Sequence, residues 1–143
     1  MTLSPVLIVA GDFYRDIAQP MIDGASKALD DAKLPYELIT VPGALEIPGA
    51  IAQAELAGAD YAGYIALGCV IRGETTHYDY VCGESARGLM ELSLGGVPVG
   101  NGILTVENRD QAMARAVEKN KGADAAQACI SLMALRTKFE KSA

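Results

Sequence analysis

The sequence has no tryptophan, one histidine, two phenylalanines and three cysteines, and most of these scarcities remove a class of protein. Cys69, Cys82 and Cys129 are odd in number and far apart, so they form neither a disulfide framework nor a zinc-ligand spacing. With His77 as the sole histidine, a metal centre has few nitrogen or sulfur ligands to draw on. The simplest reading is three reduced thiols acting as small apolar residues. The phosphate-binding pattern G-x-x-x-x-G-K-[ST] is missing, as is G-x-G-x-x-G after the first apolar run, which sets aside an NTPase or a dinucleotide oxidoreductase. The nucleophile motif G-x-S-x-G is missing too. The opening MTLSPVLIVAGDF lacks a basic region, and its apolar run is too short for a signal peptide or a membrane span. A cytoplasmic location is therefore expected. Nor is there a basic surplus. The net charge of −6 argues against nucleic acid or an acidic membrane as partner, while leaving room for a local basic pocket.

What is present is a chain that is half hydrophobic and rich in Ala and Gly, the composition of helices packed closely on a sheet. At 143 residues it is expected to form a single domain, 1–143, burying about two-thirds of its unfolded surface. Val6 to Ala10 reads as a strand buried on both faces. Ile17, Met21, Ala25, Ala28 and Leu29 recur at helical spacing over about Ile17 to Ala32, with Pro20 early, where a missing N–H is tolerated. Tyr36 to Val41 reads as a second strand. A helix that Pro48 can open follows and ends near Gly58, and Tyr61 to Val70 is a third strand. A helix is predicted from Asp79 to about Leu94, and GGVPVGNGILTVEN holds a fourth strand. Asn108 or Asp110 caps the next helix. Lys119 to Gly122 reads as a loop before a last helix, Asp124 to about Phe139. Strand and helix alternate, so an α/β fold is expected, with a four-stranded parallel sheet covered by helices on both faces.

In such a sheet, ligands sit where the carboxyl ends of strands meet the following loops and helices. Three loops open there, and the densest in chemistry lies in LGCVIRGETTHYDYVCGESARG, Leu67 to Gly88. A helix start offers unpaired N–H groups and a positive dipole end, which favour an anion. Phe13, an aromatic in a polar turn, fits a lid on the core and a stacking platform about equally. Glu46 near a helix start is accounted for by the helix dipole unless a ligand hydroxyl is close. His77 fits a local hydrogen-bonding role and proton transfer near neutral pH about equally. Arg115 and Lys121 read as a solvated face unless an anion must be neutralised beside them.

Taken together, VPGALEIP, ALGCVIRGETTHYDYVCGESARGL and VPVGNGILTVEN resemble the lumazine synthase family, and the resemblance runs from Gly11-Asp12-Phe13 to the last helix. It implies a three-layer αβα sandwich of flavodoxin-like topology. The implied activity is that of a riboflavin-biosynthesis transferase: 5-amino-6-(D-ribitylamino)uracil and 3,4-dihydroxy-2-butanone 4-phosphate condense to 6,7-dimethyl-8-ribityllumazine, without metal or organic cofactor. It also implies a homopentamer with active sites between neighbouring subunits. By the same resemblance Phe13 stacks on the pyrimidine, and Ala44, Leu45 and Glu46 hold the ribityl chain. Val70 and Ile71 meet the pyrimidine, Glu74 and Thr75 bind the phosphate, and His77 transfers protons. Arg115, Lys121 and Asp124 are implied to come from the adjacent subunit, Arg115 pairing with the phosphate. Asn101 stands where many members place an aromatic facing the other side of the ring, and Tyr14 where Asn is frequent. Two rivals share the resemblance: an archaeal-type riboflavin synthase, and a non-catalytic flavin- or lumazine-binding paralogue for which Asn101 is the hint.

Overall fold

The structure, a computed structural model, describes residues 3–142. Its centre is β1 (Val6–Gly11), whose six residues are all buried. The alternation of a strand sends Val6, Ile8 and Ala10 to one face, where they meet Ile17, Met21, Ala25 and Leu29 of α1 (Arg15–Asp31). Leu7 and Val9 face the other way, towards Ile47 and Ile51 of α2 (Ile47–Leu56) and Leu89 of α3 (His77–Leu94). A continuous apolar run is what a strand covered on both faces requires.

β2 (Tyr36–Val41) and β3 (Gly63–Ile71) pair with β1 on either side, and β4 (Val99–Val106) pairs with β3. The order is β2-β1-β3-β4, all parallel, which is the flavodoxin-like α/β arrangement. The direction of winding reverses between β1 and β3, and the crevice at that reversal opens at the strands' carboxyl ends. After β4 come α4 (Arg109–Met113), a π-helical turn at Ala114–Glu118 that continues it, and α5 (Lys121–Ser142). No helix among the described residues is long and apolar enough to cross a membrane.

Several expected boundaries move. β3 starts at Gly63 rather than Tyr61, whose hydroxyl instead donates to Glu37 at 2.8 Å. α3 starts two residues early, so His77 is its first residue. α1 starts at Arg15, which places Pro20 past the first turn and leaves the Asp16 carbonyl without its amide partner four residues on. Asn108 is the cap of α4, its side chain accepting from the Gln111 N–H at 2.9 Å. The expected loop Lys119 to Gly122 shrinks to Lys119 and Asn120. Asn120 breaks the chain with φ +48°, and its carbonyl accepts from Ala123 and Asp124, so α5 begins at Lys121. Gly122 belongs to that helix for a packing reason: a Cβ there would lie 2.1 Å from the Met21 carbonyl oxygen of α1.

Candidate active site

The carboxyl ends of β1, β2 and β3 enclose a cleft of about 420 Å³. From the end of β1 come Phe13 and Tyr14. The β2 end supplies Pro42 and Gly43 followed by a single 3-10 turn, Ala44–Glu46, that leads directly into α2. Extended backbone at Gly43 lets this turn fold beside the cleft, where Glu46 occupies the position before the first helical residue of α2. From β3 and its loop come Val70, Ile71, Thr75 and His77. Ala44, Val70 and Val81 form a small buried cluster at this end of the sheet, with Tyr78 and Cys82 packed against it.

His77 is exposed, and its backbone N–H donates to the Thr75 hydroxyl at 3.3 Å. That local bond ties the loop to the first turn of α3, a use of threonine that competes with other roles for its oxygen. Tyr78 beside it is a cleft residue that sequence reasoning passed over, as is Cys69; Tyr14, noted there only as a departure from a frequent Asn, lines the cleft too. Burial, followed by hydrogen bonding to Cys82, raises the Tyr78 phenol above its ordinary value. Burial pushes the Cys69 thiol up to about 11 against a smaller opposing pull from Arg109, so it is a neutral wall of the cleft. Tyr78 carries the Arg72 guanidinium over its ring at 4.3 Å. Arg72 also pairs with Glu107 at 2.8 Å and with Asp79 at 3.4 Å, joining the start of α3 to the end of β4. An aromatic directly after the histidine was the available signal for Tyr78. For Arg72 and Cys69 nothing in the pattern separated lining from support.

The expected residues divide into two groups. Phe13, Ala44, Leu45, Glu46, Val70, Ile71, Thr75 and His77 all line the cleft. Glu74 is exposed and belongs to neither group. Asn101, Arg115, Lys121 and Asp124 line a second hollow of about 340 Å³ along β4, the strand at the opposite edge of the sheet from β2. There the Asn101 side chain turns back to accept from the Ile103 N–H at 2.9 Å. Arg115 rides on the π-helical turn, half-buried, with Nη1 donating to the Gln111 carbonyl at 3.1 Å. Insertions of this kind re-aim a side chain within a helix, and they recur at functional sites. Lys121 and Asp124 form an i,i+3 ion pair at 3.4 Å in the first turn of α5.

The two hollows are chemically complementary. The cleft offers an aromatic, a carboxylate and a histidine but has no Lys or Arg in its lining, whereas the second hollow has both. Among the described residues, no three His, Cys, Asp or Glu side chains are grouped to hold a metal ion.

The family model of 6,7-dimethyl-8-ribityllumazine synthase matches residues 4–137. The chain belongs to that family. A protein of Novosphingobium aromaticivorans named 6,7-dimethyl-8-ribityllumazine synthase is 52% identical over 139 residues, covering 96% of this chain and 99% of the relative. A protein of Rhizobium meliloti named 6,7-dimethyl-8-ribityllumazine synthase 1 is 52% identical over 141 residues, with 94% and 92% covered. One from Sphingopyxis alaskensis with the unnumbered name is 50% identical over 139 residues, covering 96% and 98%. For a lumazine synthase family member at this coverage, the cleft and the β4 hollow lie within the matched span.

Proposed function

We propose that this single-domain chain condenses 5-amino-6-(D-ribitylamino)uracil with 3,4-dihydroxy-2-butanone 4-phosphate in the cytoplasm, forming 6,7-dimethyl-8-ribityllumazine and releasing phosphate and water. The observation that carries the reading is the division of complementary groups between the cleft and the β4 hollow, in a member of this family. In a ring of identical copies joined head to tail, different patches of the same chain meet at every interface. The β4 hollow of one copy then faces the cleft of the next, and a pentamer completes five sites.

Each group has a role in this arrangement. Phe13 supplies a face for the pyrimidine ring, and Val70 and Ile71 border it with their backbone groups. Glu46 accepts hydrogen bonds from ribityl hydroxyls at the Ala44-Leu45-Glu46 turn. The main-chain N–H groups of Glu74 and Thr75 and the Thr75 hydroxyl receive the phosphate, with the Glu74 carboxylate turned away from it. Arg115 from the neighbouring copy pairs with that phosphate through a planar guanidinium, supported by Lys121 and its partner Asp124. Asn101 borders the ring from the neighbour's side.

The substrates bring their own reactivity: an amine nucleophile, a ketone electrophile and a phosphate leaving group. Holding the two in register removes much of the entropic barrier to a bimolecular reaction. Donors fixed around the departing phosphate stabilise its charge. His77 moves protons during imine formation, phosphate elimination and ring closure.

Purified protein given both substrates, without added metal or cofactor, is expected to release lumazine and inorganic phosphate together. The shared site is tested by mixing. Arg115→Ala and His77→Ala proteins, each impaired alone, recover activity when co-assembled, because some interfaces then combine an intact cleft with an intact hollow. Pyrimidine binding without turnover refutes the activity, and no recovery on co-assembly refutes the site between copies.

A further inference from the structure

Phe13 is 71% exposed, yet the proposed role demands a ring held still enough to receive a planar substrate. Its partner within the chain is Tyr14: the two ring centroids are 4.8 Å apart and the planes meet at 67°, an edge-to-face contact. Tyr14 itself is anchored. It packs against the main core cluster on the α1 side of the sheet and lines the cleft with Phe13. On another side stands the Arg109 guanidinium, 5.7 Å from the Tyr14 ring centroid. Arg109 is in turn held by an ion pair with Asp16 in the first turn of α1. Two segments far apart in sequence, the turn from β1 into α1 and the start of α4, therefore meet at one tyrosine ring, with Asp16 holding the Arg109 that reaches it.

We propose that Tyr14 is a positioning residue for the pyrimidine half of the reaction, holding Phe13 in the orientation in which it stacks. The physical logic is pre-organisation. An exposed phenylalanine without a neighbour must lose rotamer freedom each time substrate binds, whereas one already restricted by an aromatic contact has less to lose. Edge-to-face geometry suits the task, because the positive edge of one ring meets the negative face of the other and favours a defined angle. The cation near the Tyr14 ring adds an attraction that does not require the tyrosine hydroxyl. The effect belongs in the affinity for the uracil substrate, and the phosphate-bearing substrate and the chemical steps should be insensitive to it.

The inference rests on the stacking role of Phe13, and the test separates the two. Tyr14→Leu keeps apolar bulk and removes the ring; Tyr14→Phe keeps the ring and removes only the hydroxyl. With Tyr14→Leu, KM for the uracil substrate is expected to rise about threefold to tenfold, while kcat and KM for the phosphate substrate stay within about twofold. Tyr14→Phe restores wild-type constants. In a Phe13→Ala background Tyr14→Leu adds no further loss, since both changes remove the same interaction. Wild-type constants for Tyr14→Leu overturn the proposal, as does a loss shared equally by both substrates or a Tyr14→Phe protein as impaired as Tyr14→Leu. If Phe13→Ala raises KM and Tyr14→Leu does not, the positioning role alone falls. If Phe13→Ala is itself without effect, the stacking role falls and the positioning role with it. Thermal unfolding of each variant, with kinetics read well below the midpoint, separates these outcomes from simple instability.

Discussion

Replacing Gly100 with alanine tests the contact on which the β4 hollow depends. Gly100 lies on β4 opposite Ile65 and faces α5. A Cβ at this position would sit 1.9 Å from the Ala125 carbonyl oxygen, 2.9 Å from its carbon and 3.1 Å from the Cys129 nitrogen. Ordinary contact between such atoms begins near 3.4 Å, so α5 must retreat by roughly 1.5 Å. The obstacle is helix backbone rather than a flexible side-chain tip, and Ala125, Ala126 and Cys129 behind it are all buried. Overpacking of a close-packed site costs on the order of 1–3 kcal/mol, and a rigid obstacle puts this one at about 3. With an unfolding entropy of about 2.1 cal/mol/K per residue, that is a fall in Tm of about 10 °C. The same retreat carries Lys121 and Asp124 away from Asn101 on β4, so turnover should fall along with stability. Gly49→Ala in α2 is the control, because nothing lies within 4 Å of its Cβ. There the better helix former should raise Tm by about 3 °C, from a gain of about 1 kcal/mol. The assay is thermal unfolding of both variants, followed by turnover at a temperature where each is folded. A Gly100→Ala protein within about 2 °C of wild type and fully active refutes the close approach of β4 and α5.

Two further outcomes are expected. If positioning and phosphate stabilisation dominate, Arg115→Ala should lower kcat/KM on the order of 100-fold while His77→Ala costs less; steady-state kinetics giving the reverse ranking would sink that order of importance. Stability should be insensitive to pH below 9 on account of the thiols and decline above it. Burial holds Cys69 up to about 11 and Cys129 up to about 12 in the folded chain, from an ordinary thiol value of 9.0. From pH 9 upward the unfolded chain loses protons that the folded chain keeps, so unfolding is increasingly favoured until the folded pKa values are reached. Tyr64, raised by burial and by its hydrogen bond to Glu55, acts in the same direction. A denaturation midpoint that rises between pH 9 and 11 contradicts this account.

Local patterns in the sequence were enough for the fold class, because each is a local statement about burial. The apolar run Val6 to Ala10 identifies a strand covered on both faces, and the spacing of Ile17, Met21, Ala25 and Leu29 identifies the stripe that covers it. The resemblance carried by GCVIRGETTHYDYV reached the family on the same terms, through residues adjacent in the chain. Where local patterns misled, a distant contact was the cause. Lys121-Gly122 read as a loop because glycine usually marks one, yet Gly122 is there to let α5 approach the Met21 carbonyl of α1. The π-helical turn under Arg115 has no sequence signature, and Tyr14 drew notice only as a departure from a common residue. Its contacts run to Phe13 beside it and to Arg109, ninety-five positions away, so no window along the chain contains them. Most decisively, the expected site residues separate into a cleft at the crevice beside β1 and a hollow on the β4 edge. Residue types are written in the sequence, but which of them share a cavity follows from strand order and the path of each crossover. Only the assembled sheet decides that.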